Sequence, residues 1–375
     1  MTTATEPFHL GTSRVSLRAR TYTWQHCQTG YRFRTQGRIK APPQLLMGDV
    51  MRLLVTGGAG FIGSHFVRET IKDNLPGLNG ASVVVLDALT YAGDRRNLDP
   101  VANSDRLEFV EGNILDAALL DDLLPNVDAV VHFAAESHVD RSIEGSTEFV
   151  MTNVVGTQTL LDAARRNNVG RFLHVSTDEV YGSIDEGSWP ETHPLLPNSP
   201  YAASKASSDL FARAFFRTHK LDVVITRCSN NYGPYQFPEK VIPLFVTNLI
   251  DGLQVPLYGD GLNIRDWLHV NDHCRGISLA LTAGRAGEIY NIGGGTELTN
   301  KELTGKLLEA CGAGWDSVRP VEDRKGHDRR YSVSIDKIRE ELGYEPQMPF
   351  DIGLAETVEW YKNNRAWWEP HKAKA

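Results

Sequence analysis

The chain has 375 residues, 41% of them apolar, and a formal net charge of −8, enough to bury a large core in one big or two modest domains. The charge is uneven: the first fifty residues hold seven Arg and Lys against two acids, leaving 32 basic and 45 acidic residues beyond them, an acidic body that argues against broad nucleic-acid binding but allows a local basic pocket for phosphates. The longest apolar runs, such as Val83 to Leu86 and Ala129 to Val131, are strand-sized and provide no membrane-spanning helix, while four irregularly spaced cysteines (Cys27, Cys228, Cys274 and Cys311) without a Cys-x-x-Cys pair argue against a disulfide framework or zinc site and fit a reducing cytoplasm.

Residues 1 to 50 are rich in Thr, Arg and Gln and show no sustained periodicity. They lack the apolar core of a secretory signal, and although their Arg-rich, acid-poor make-up suits an organellar transit peptide, no clear amphipathic stripe is present. They are read as a dispensable extension, disordered or translated ahead of a start at Met51, with no part in the chemistry.

From Met51 the pattern changes. Arg52-Leu-Leu-Val-Thr reads as a buried strand, and Gly57-Gly-Ala-Gly60-Phe-Ile-Gly63 leads it directly into a helical pattern from Ser64 to Asp73. The apolar strand Ser82 to Leu86 follows, closed by Asp87. Strand, Gly-rich turn, helix, strand, acid is a dinucleotide-binding order: Gly57, Gly60 and Gly63 let the backbone approach a pyrophosphate, and the helix N-terminus supplies amide donors. The Asp87 carboxylate can accept both ribose hydroxyls of NAD but would repel the 2'-phosphate of NADP, so NAD is the expected cofactor.

Further strands are predicted at Leu107 to Glu111, Ala129 to Phe133, Arg171 to Ser176 and Val223 to Thr226, with a helix from Glu148 to Asn167 among the intervening segments. This alternation predicts an α/β fold: a doubly wound parallel sheet of Rossmann type, covered on both faces, with a smaller C-terminal substrate-binding lobe. The NAD-binding domain is placed at 51–233, with segments near 270–292 returning to it. The lobe, Pro- and Gly-punctuated, is placed mainly at 234–368, followed by a tail at 369–375. Ligands of such sheets bind beyond the carboxyl ends of the strands. There the polar clusters fall: Asn113 and Ile114, Ala134 to Ser137, Thr177 to Glu179, and Asn230 to Pro234.

Two of these stretches carry reactive groups. Val175-Ser-Thr-Asp-Glu-Val-Tyr-Gly182 places a hydroxyl and two adjacent carboxylates after a strand, and Tyr201-Ala-Ala-Ser-Lys205 places a phenol and an ammonium one helical turn apart. A nearby cation lowers the pKa of a phenol, which would make Tyr201 a base near neutral pH. Each feature also has a plain reading. A Tyr-x-x-x-Lys spacing is common on exposed helix faces, and an Asp-Glu pair in a loop is commonly a pair of solvated charges. Arg265 can be a surface ion-pair partner or, with Lys240 and Arg324, a diphosphate clamp. Tyr258 can be lobe core or a platform for a nucleobase. Cys228, His132 and His138 read as packing or supporting groups, and Trp367 with Trp368 as a docking patch.

Together, the Gly-rich turn, the Tyr-x-x-x-Lys pair and the run His132-Phe-Ala-Ala-Glu-Ser-His-Val-Asp-Arg-Ser142 resemble the extended short-chain dehydrogenase/reductase superfamily. Within it, Ser-Thr-Asp-Glu-Val-Tyr-Gly, Arg227-Cys-Ser-Asn-Asn-Tyr-Gly-Pro-Tyr235, Phe237-Pro-Glu-Lys-Val-Ile-Pro243, Arg265-Asp-Trp-Leu268 and Asp323 to Tyr331 resemble the dTDP-glucose 4,6-dehydratase family, from Met51 to about Trp368. The resemblance implies that NAD is lined by Phe61, Ile62, Asp87, Ala88, Leu89, Thr90, Asn113, Ile114, Phe133, Ala134, Ala135, Glu136, Ser137, Thr152 and Asn231, beside the glycines and Tyr201 and Lys205. It implies a dTDP-glucose site built from Ser137, Thr177, Asn230, Lys240, Val241, Pro256, Leu257, Tyr258 and Arg265. Asn300, Asp323, Arg324, Lys325, Gly326 and His327 complete that site. One departure is visible: the family usually has Asp where this chain has Asn113, which implies at most a weakened contact to the adenine amino group.

The implied roles suit the difficulty of the reaction. Water leaves C5 and C6 of a glucose unit readily only after C4 has become a ketone, which acidifies the C5 proton. Tyr201 would take the 4-hydroxyl proton, Lys205 would hold the nicotinamide ribose and steady the phenolate, and Thr177 would bond the 4-hydroxyl. Glu179 would be the C5 base and Asp178 the acid toward the 6-hydroxyl. Adjacent carboxylates can be held in different protonation states, because each penalises ionisation of the other.

The same helix pair that carries Glu148 to Asn167 and Tyr201 resembles the family's dimer-forming pair, with Phe149, Val150, Val154, Leu160 and Leu161 more numerous than one sheet contact requires; a homodimer is expected. A nucleotide-sugar 4-epimerase needs no C5 base and C6 acid. A GDP-mannose 4,6-dehydratase would sit less well with the NAD preference of Asp87, and an NAD-sensing regulator could dispense with the reactive groups altogether.

Overall fold

The computed structural model describes residues 50–372. The N-terminal extension, Cys27 and residues 373–375 lie outside the described residues. Among the described residues twelve strands occur in chain order: β1 (Arg52–Thr56), β2 (Ser82–Asp87), β3 (Leu107–Glu111), β4 (Ala129–His132), β5 (Arg171–Thr177), β6 (Val223–Cys228), β7 (Asn230–Tyr232), β8 (Val255–Tyr258), β9 (Ile264–His269), β10 (Ile289–Ile292), β11 (Glu297–Thr299) and β12 (Val318–Val321). Seven of them form one sheet in the order β10-β6-β5-β4-β1-β2-β3, every neighbouring pair parallel.

Both faces of this sheet are covered, which explains why its strands are nearly continuous apolar runs. Leu53 and Val55 of β1 point to one core with Phe66, Val67, Ile277 and Leu281. Leu54 points to the other, with Leu160, Leu161 and Phe215. Strand order reverses at β1, which pairs with β2 on one side and β4 on the other, and such a reversal opens a crevice at the carboxyl ends of the strands. β10 joins the far edge beside β6, and the helix Val270–Ala283 packs on the first core through Ile277 and Leu281.

The smaller lobe has its own core of Tyr232, Phe245, Val255, Trp267, Leu303, Phe350, Trp367 and Trp368. It also carries a three-stranded sheet β11-β9-β7 and the pair β12-β8. Trp367 and Trp368 are buried and bonded rather than presented outward: their indole N–H groups donate to Asn97 Oδ1 at 2.8 Å and to the Tyr361 carbonyl at 2.7 Å. The helix Arg365–Lys372 continues past the expected lobe end at 368 because His371 meets Asp94 at 2.7 Å and Lys372 meets Asp251 at 2.7 Å.

Two local expectations change. The first helix starts at Phe61 rather than Ser64, because the Gly-rich turn itself forms its opening. The segment expected as one helix from Glu148 to Asn167 instead passes from Thr147–Phe149 through a π-helical stretch Val150–Gly156 into Thr157–Arg166. A wide turn of this kind re-aims side chains near functional sites. Here Asn153 is turned inward, accepting from Glu136 N and donating to the Ser204 hydroxyl. Of the apolar residues expected in excess of one sheet contact, Phe149, Leu160 and Leu161 are buried in the subunit core, while Val150 is exposed.

Candidate active site

The Gly-rich turn is sterically obligatory. Gly57 has φ +70°, and a Cβ there would come within 2.6 Å of Ala134 N; a Cβ on Gly63 would strike the Gly57 carbonyl. Backbone therefore passes where side chains cannot, and β1 runs straight into the helix Phe61–Ile71 with its amides facing the crevice. Asp87 at the end of β2 accepts from Ala59 N at 2.8 Å and Leu89 N at 2.9 Å. Burial pushes its carboxyl up, with these two amides opposing.

A cavity of about 320 Å³ follows the carboxyl ends of the central strands. Every cofactor residue expected from the sequence lines it except Leu89, whose amide instead fastens Asp87. Asn113 is there too, with its Oδ1 already accepting from Leu115 N at 2.9 Å. The Gly cradle, the helix N-terminus and the Asp87 carboxylate along one cavity fit a dinucleotide.

All five catalytic candidates line the same cavity. Thr177 ends β5; its hydroxyl accepts from Glu179 N and donates to Asp178 Oδ1, both at 3.3 Å, so the chain turns sharply and both carboxylates stay at the cavity. Gly182, at φ +83°, completes that turn against the Leu196 carbonyl. Burial, then Glu179, then Asp266 push the Asp178 carboxyl well above the usual range, and its Oδ2 has no hydrogen-bond partner among the described residues. Burial also raises Glu179, but Arg265, Lys240 and Arg324 oppose the shift. The two acids are thus separated in protonation preference by their surroundings.

Tyr201 and Lys205 sit one turn apart on the helix Pro200–His219, whose start is fixed by Ser199 Oγ accepting from Ala202 N at 3.1 Å. The Lys205 ammonium donates to the Val175 carbonyl at 2.8 Å, and burial lowers it to about 8. The expected lowering of the Tyr201 phenol is not what the arrangement produces. Burial and then the Glu179 carboxylate push the phenol up, because it is enclosed beside an acid and the Lys205 charge is directed to a backbone carbonyl.

The substrate candidates fall into two groups. Ser137, Thr177, Asn230 and Lys240 line the cavity; the rest form a layer in the smaller lobe beyond it. Val241 opens the helix Val241–Ile250 after Lys240, and Pro256, Leu257 and Tyr258 pair with Arg319, Pro320 and Val321. Arg265 is buried, lies 4.2 Å from the Tyr331 ring centroid and donates to the Asp328 carbonyl at 3.0 Å. Asn300 N donates to the Asn263 carbonyl at 2.9 Å. In the 323–327 loop, Asp323 pairs with His327 at 2.6 Å and Arg324 lies 5.5 Å from the Tyr258 ring centroid, while Lys325 and Gly326 are exposed. Arg265, Lys240 and Arg324 come from three segments yet all act on Glu179, so they form one basic group beside the acids.

The fold brings in further residues to which the sequence assigned no role at the site: Gln236, Phe237 and Glu239 line the cavity, as does Cys228, expected as a packing residue. Behind Lys205, Arg227 Nε donates to Asp209 Oδ2 at 2.9 Å and His174 Nε2 stands 3.3 Å from Asp209 Oδ1, all buried. Asp209 could have been found as the acid one turn after Lys205. Cys228 is a packing residue whose thiol burial pushes up.

A family model described as GDP-mannose 4,6 dehydratase matches residues 54–357. A dTDP-glucose 4,6-dehydratase of Streptomyces niveus is 63% identical over 323 residues, covering 86% of this chain and 96% of that protein. The chain belongs to the dTDP-glucose 4,6-dehydratase family. The crystal structure of DesIV, a dTDP-glucose 4,6-dehydratase from Streptomyces venezuelae solved with NAD and dTDP bound, has 67% identity and a TM-score of 0.85, covering 86% of this chain and all of that one. A UDP-glucose 4-epimerase from Thermotoga maritima shares the fold at 33% identity and a TM-score of 0.76, covering 84% of this chain and 100% of that one.

Proposed function

We infer that this chain is an NAD-dependent hydro-lyase that converts dTDP-glucose to dTDP-4-keto-6-deoxy-glucose and water. The observation that carries the reading is the enclosure of Asp178 and Glu179 in one cavity with Tyr201 and Lys205. An epimerase of the same fold needs the second pair alone.

NAD is held by the Gly57 to Gly63 turn, Asp87 and Lys205, and when bound it accepts the C4 hydride of the sugar and returns it to C6. Thr177 bonds the 4-hydroxyl, and Tyr201 takes its proton in the ionised form as C4 becomes a ketone, the Lys205 ammonium and the positive charge of oxidised nicotinamide working against the burial that raises the phenol. Lys205 supplies positive charge to the same end of the cavity. Glu179 then removes the proton from C5, and the C6–O bond breaks as Asp178, kept protonated by burial and by its neighbours, donates to the departing hydroxyl. Water leaves, and Glu179 returns its proton to C5 when C6 is reduced. Hydride leaves and returns within one cycle, and the proton gained by Tyr201 makes good, through solvent on product release, the one lost by Asp178, so the net change is loss of water. Lys240, Arg265 and Arg324 hold the diphosphate, and Tyr258 faces the nucleobase.

The enzyme acts as a homodimer in this reading. Val150, Met151, Val155, Leu210 and Phe211 are 36 to 57% exposed on two helical segments packed against each other, an apolar patch suited to a second copy. No helix among the described residues is long and apolar enough to cross a membrane, and the unpaired Cys228, Cys274 and Cys311 support a reducing, cytoplasmic setting.

Incubation with dTDP-glucose is expected to yield an alkali-sensitive 4-keto product. Formation of the galactose epimer alone would overturn the reading.

A further inference from the structure

Three polar ties run from one short segment, residues 137–141, to the smaller lobe. Lys240 Nζ donates to the Ser137 carbonyl at 2.7 Å, Arg324 Nη2 meets Asp140 Oδ2 at 2.9 Å, and Arg141 Nη2 meets Glu239 Oε2 at 3.1 Å. The first two engage residues of the basic group. The third engages nothing in the mechanism, yet it is the most elaborate. The Arg141 guanidinium also lies 4.1 Å from the centroid of the Tyr91 ring, and that ring meets Phe237 edge-on at 5.6 Å.

These contacts join opposite sides of the cavity. Thr90 and Ala92, which flank Tyr91, line it beside Asp87; Phe237 and Glu239 line it from the smaller lobe. The Glu239 side chain is only 6% exposed, so its carboxylate needs a cation within the fold. Lys240, the adjacent cation, already donates to Ser137, which leaves Arg141. A planar guanidinium is suited to this double duty, stacking on a ring while pairing with an acid.

We propose that Arg141, acting through Tyr91 and Glu239, is a positioning residue that clasps the two rims of the cavity together and keeps NAD from leaving between turnovers. The proposal rests on the reading that NAD occupies this cavity. A reaction that takes and returns its hydride in one cycle gains from a cofactor that stays, and closure of the rims provides that retention.

The test is exchange of bound NAD against labelled NAD, followed after removal of free cofactor, with the melting temperature of each protein measured alongside. Arg141→Ala is expected to exchange faster by on the order of tenfold or more in a protein that remains folded at the assay temperature, with a lowered melting temperature because Glu239 loses its cation. Arg141→Lys, which keeps charge but loses the planar stack, should restore part of the retention. A folded Arg141→Ala protein exchanging at the wild-type rate would overturn the clasp. If that variant does not fold, Tyr91→Leu, which leaves the Arg141–Glu239 pair in place, is expected to exchange faster as well, and a wild-type rate there overturns the proposal equally. A wild-type protein that binds no NAD would instead overturn the cofactor reading beneath it.

Discussion

Lys205 donates to the Val175 carbonyl at 2.8 Å, which fastens the helix carrying Tyr201 to β5 just before that strand delivers Thr177, Asp178 and Glu179. The oxidising pair and the eliminating pair are therefore held by one hydrogen bond. Burial lowers the ammonium to about 8 from the ordinary 10.5, so its charge is present below that value and lost above it. C4 oxidation by the free enzyme is expected to decline as pH rises through about 8. Stability runs the other way: between about 8 and 10.5 the unfolded chain holds the proton that the folded chain has released, so stability increases with pH across that window. Lys205→Met should remove this pH dependence and slow oxidation roughly 100-fold or more, read from the near-ultraviolet absorbance of reduced nicotinamide in single turnovers.

Asp178 makes a second prediction through its raised carboxyl. Folding strengthens its hold on a proton, so the stabilising share is present at low pH and is lost as pH rises from the usual carboxylate value of 3.8 through the raised one. Near neutral pH the site therefore costs stability. Asp178→Asn is expected to raise the melting temperature by roughly 2 °C or more at about pH 8, with the gain vanishing toward about pH 4. Dehydration should fall by roughly 100-fold or more. A variant no more stable than wild type at both pH values would contradict the enclosure of this acid.

The Asp209–Arg227 pair makes a third. Burial acts to raise the Asp209 carboxyl, but Arg227 and His174 more than offset it and hold it at about 2. Its stabilising contribution is present above 3.8 and is lost as pH falls toward about 2. Asp209→Asn leaves Arg227 buried without its partner and is expected to cost about 3 to 5 kcal/mol in urea unfolding at neutral pH, whereas Asp209→Leu with Arg227→Met should recover most of that loss. Asp209 also supports the charge of Lys205, so Asp209→Asn should move the alkaline decline in oxidation to lower pH. An unshifted decline would separate the two groups.

The apolar patch gives a fourth. Met151→Glu combined with Phe211→Glu, both exposed in the subunit, should convert a dimer to a monomer in light scattering without lowering the helix content. A wild-type chain at monomer mass across micromolar concentrations would remove the dimer from the account.

The first half of the chain was legible because its signals are local. The Gly57 to Gly63 turn, the apolar strands and Asp87 each follow from one short stretch, and so do Tyr201 and Lys205 one helical turn apart. Tertiary context decided the rest. The π-helical turn at Val150 to Gly156 carries no helix breaker before Gly156, and its cause is the inward pull on Asn153 from Glu136 and Ser204. The raised Tyr201 phenol could not be read from its spacing to Lys205, since spacing does not report that the ammonium turns to Val175. Trp367 and Trp368 looked like an outer patch because their partners, Asn97 and Tyr361, belong to other parts of the chain.

In the proposed reaction Tyr201 and Lys205 move a hydride out of C4, and Asp178 and Glu179 expel water before that hydride comes back. The most direct measurement is turnover of dTDP-glucose carrying deuterium at C4, with the product analysed by NMR. The expected product is a 4-keto-6-deoxy sugar with the deuterium in its C6 methyl group. Deuterium retained at C4 in a galactose epimer, or absent from C6 of the keto product, would contradict it.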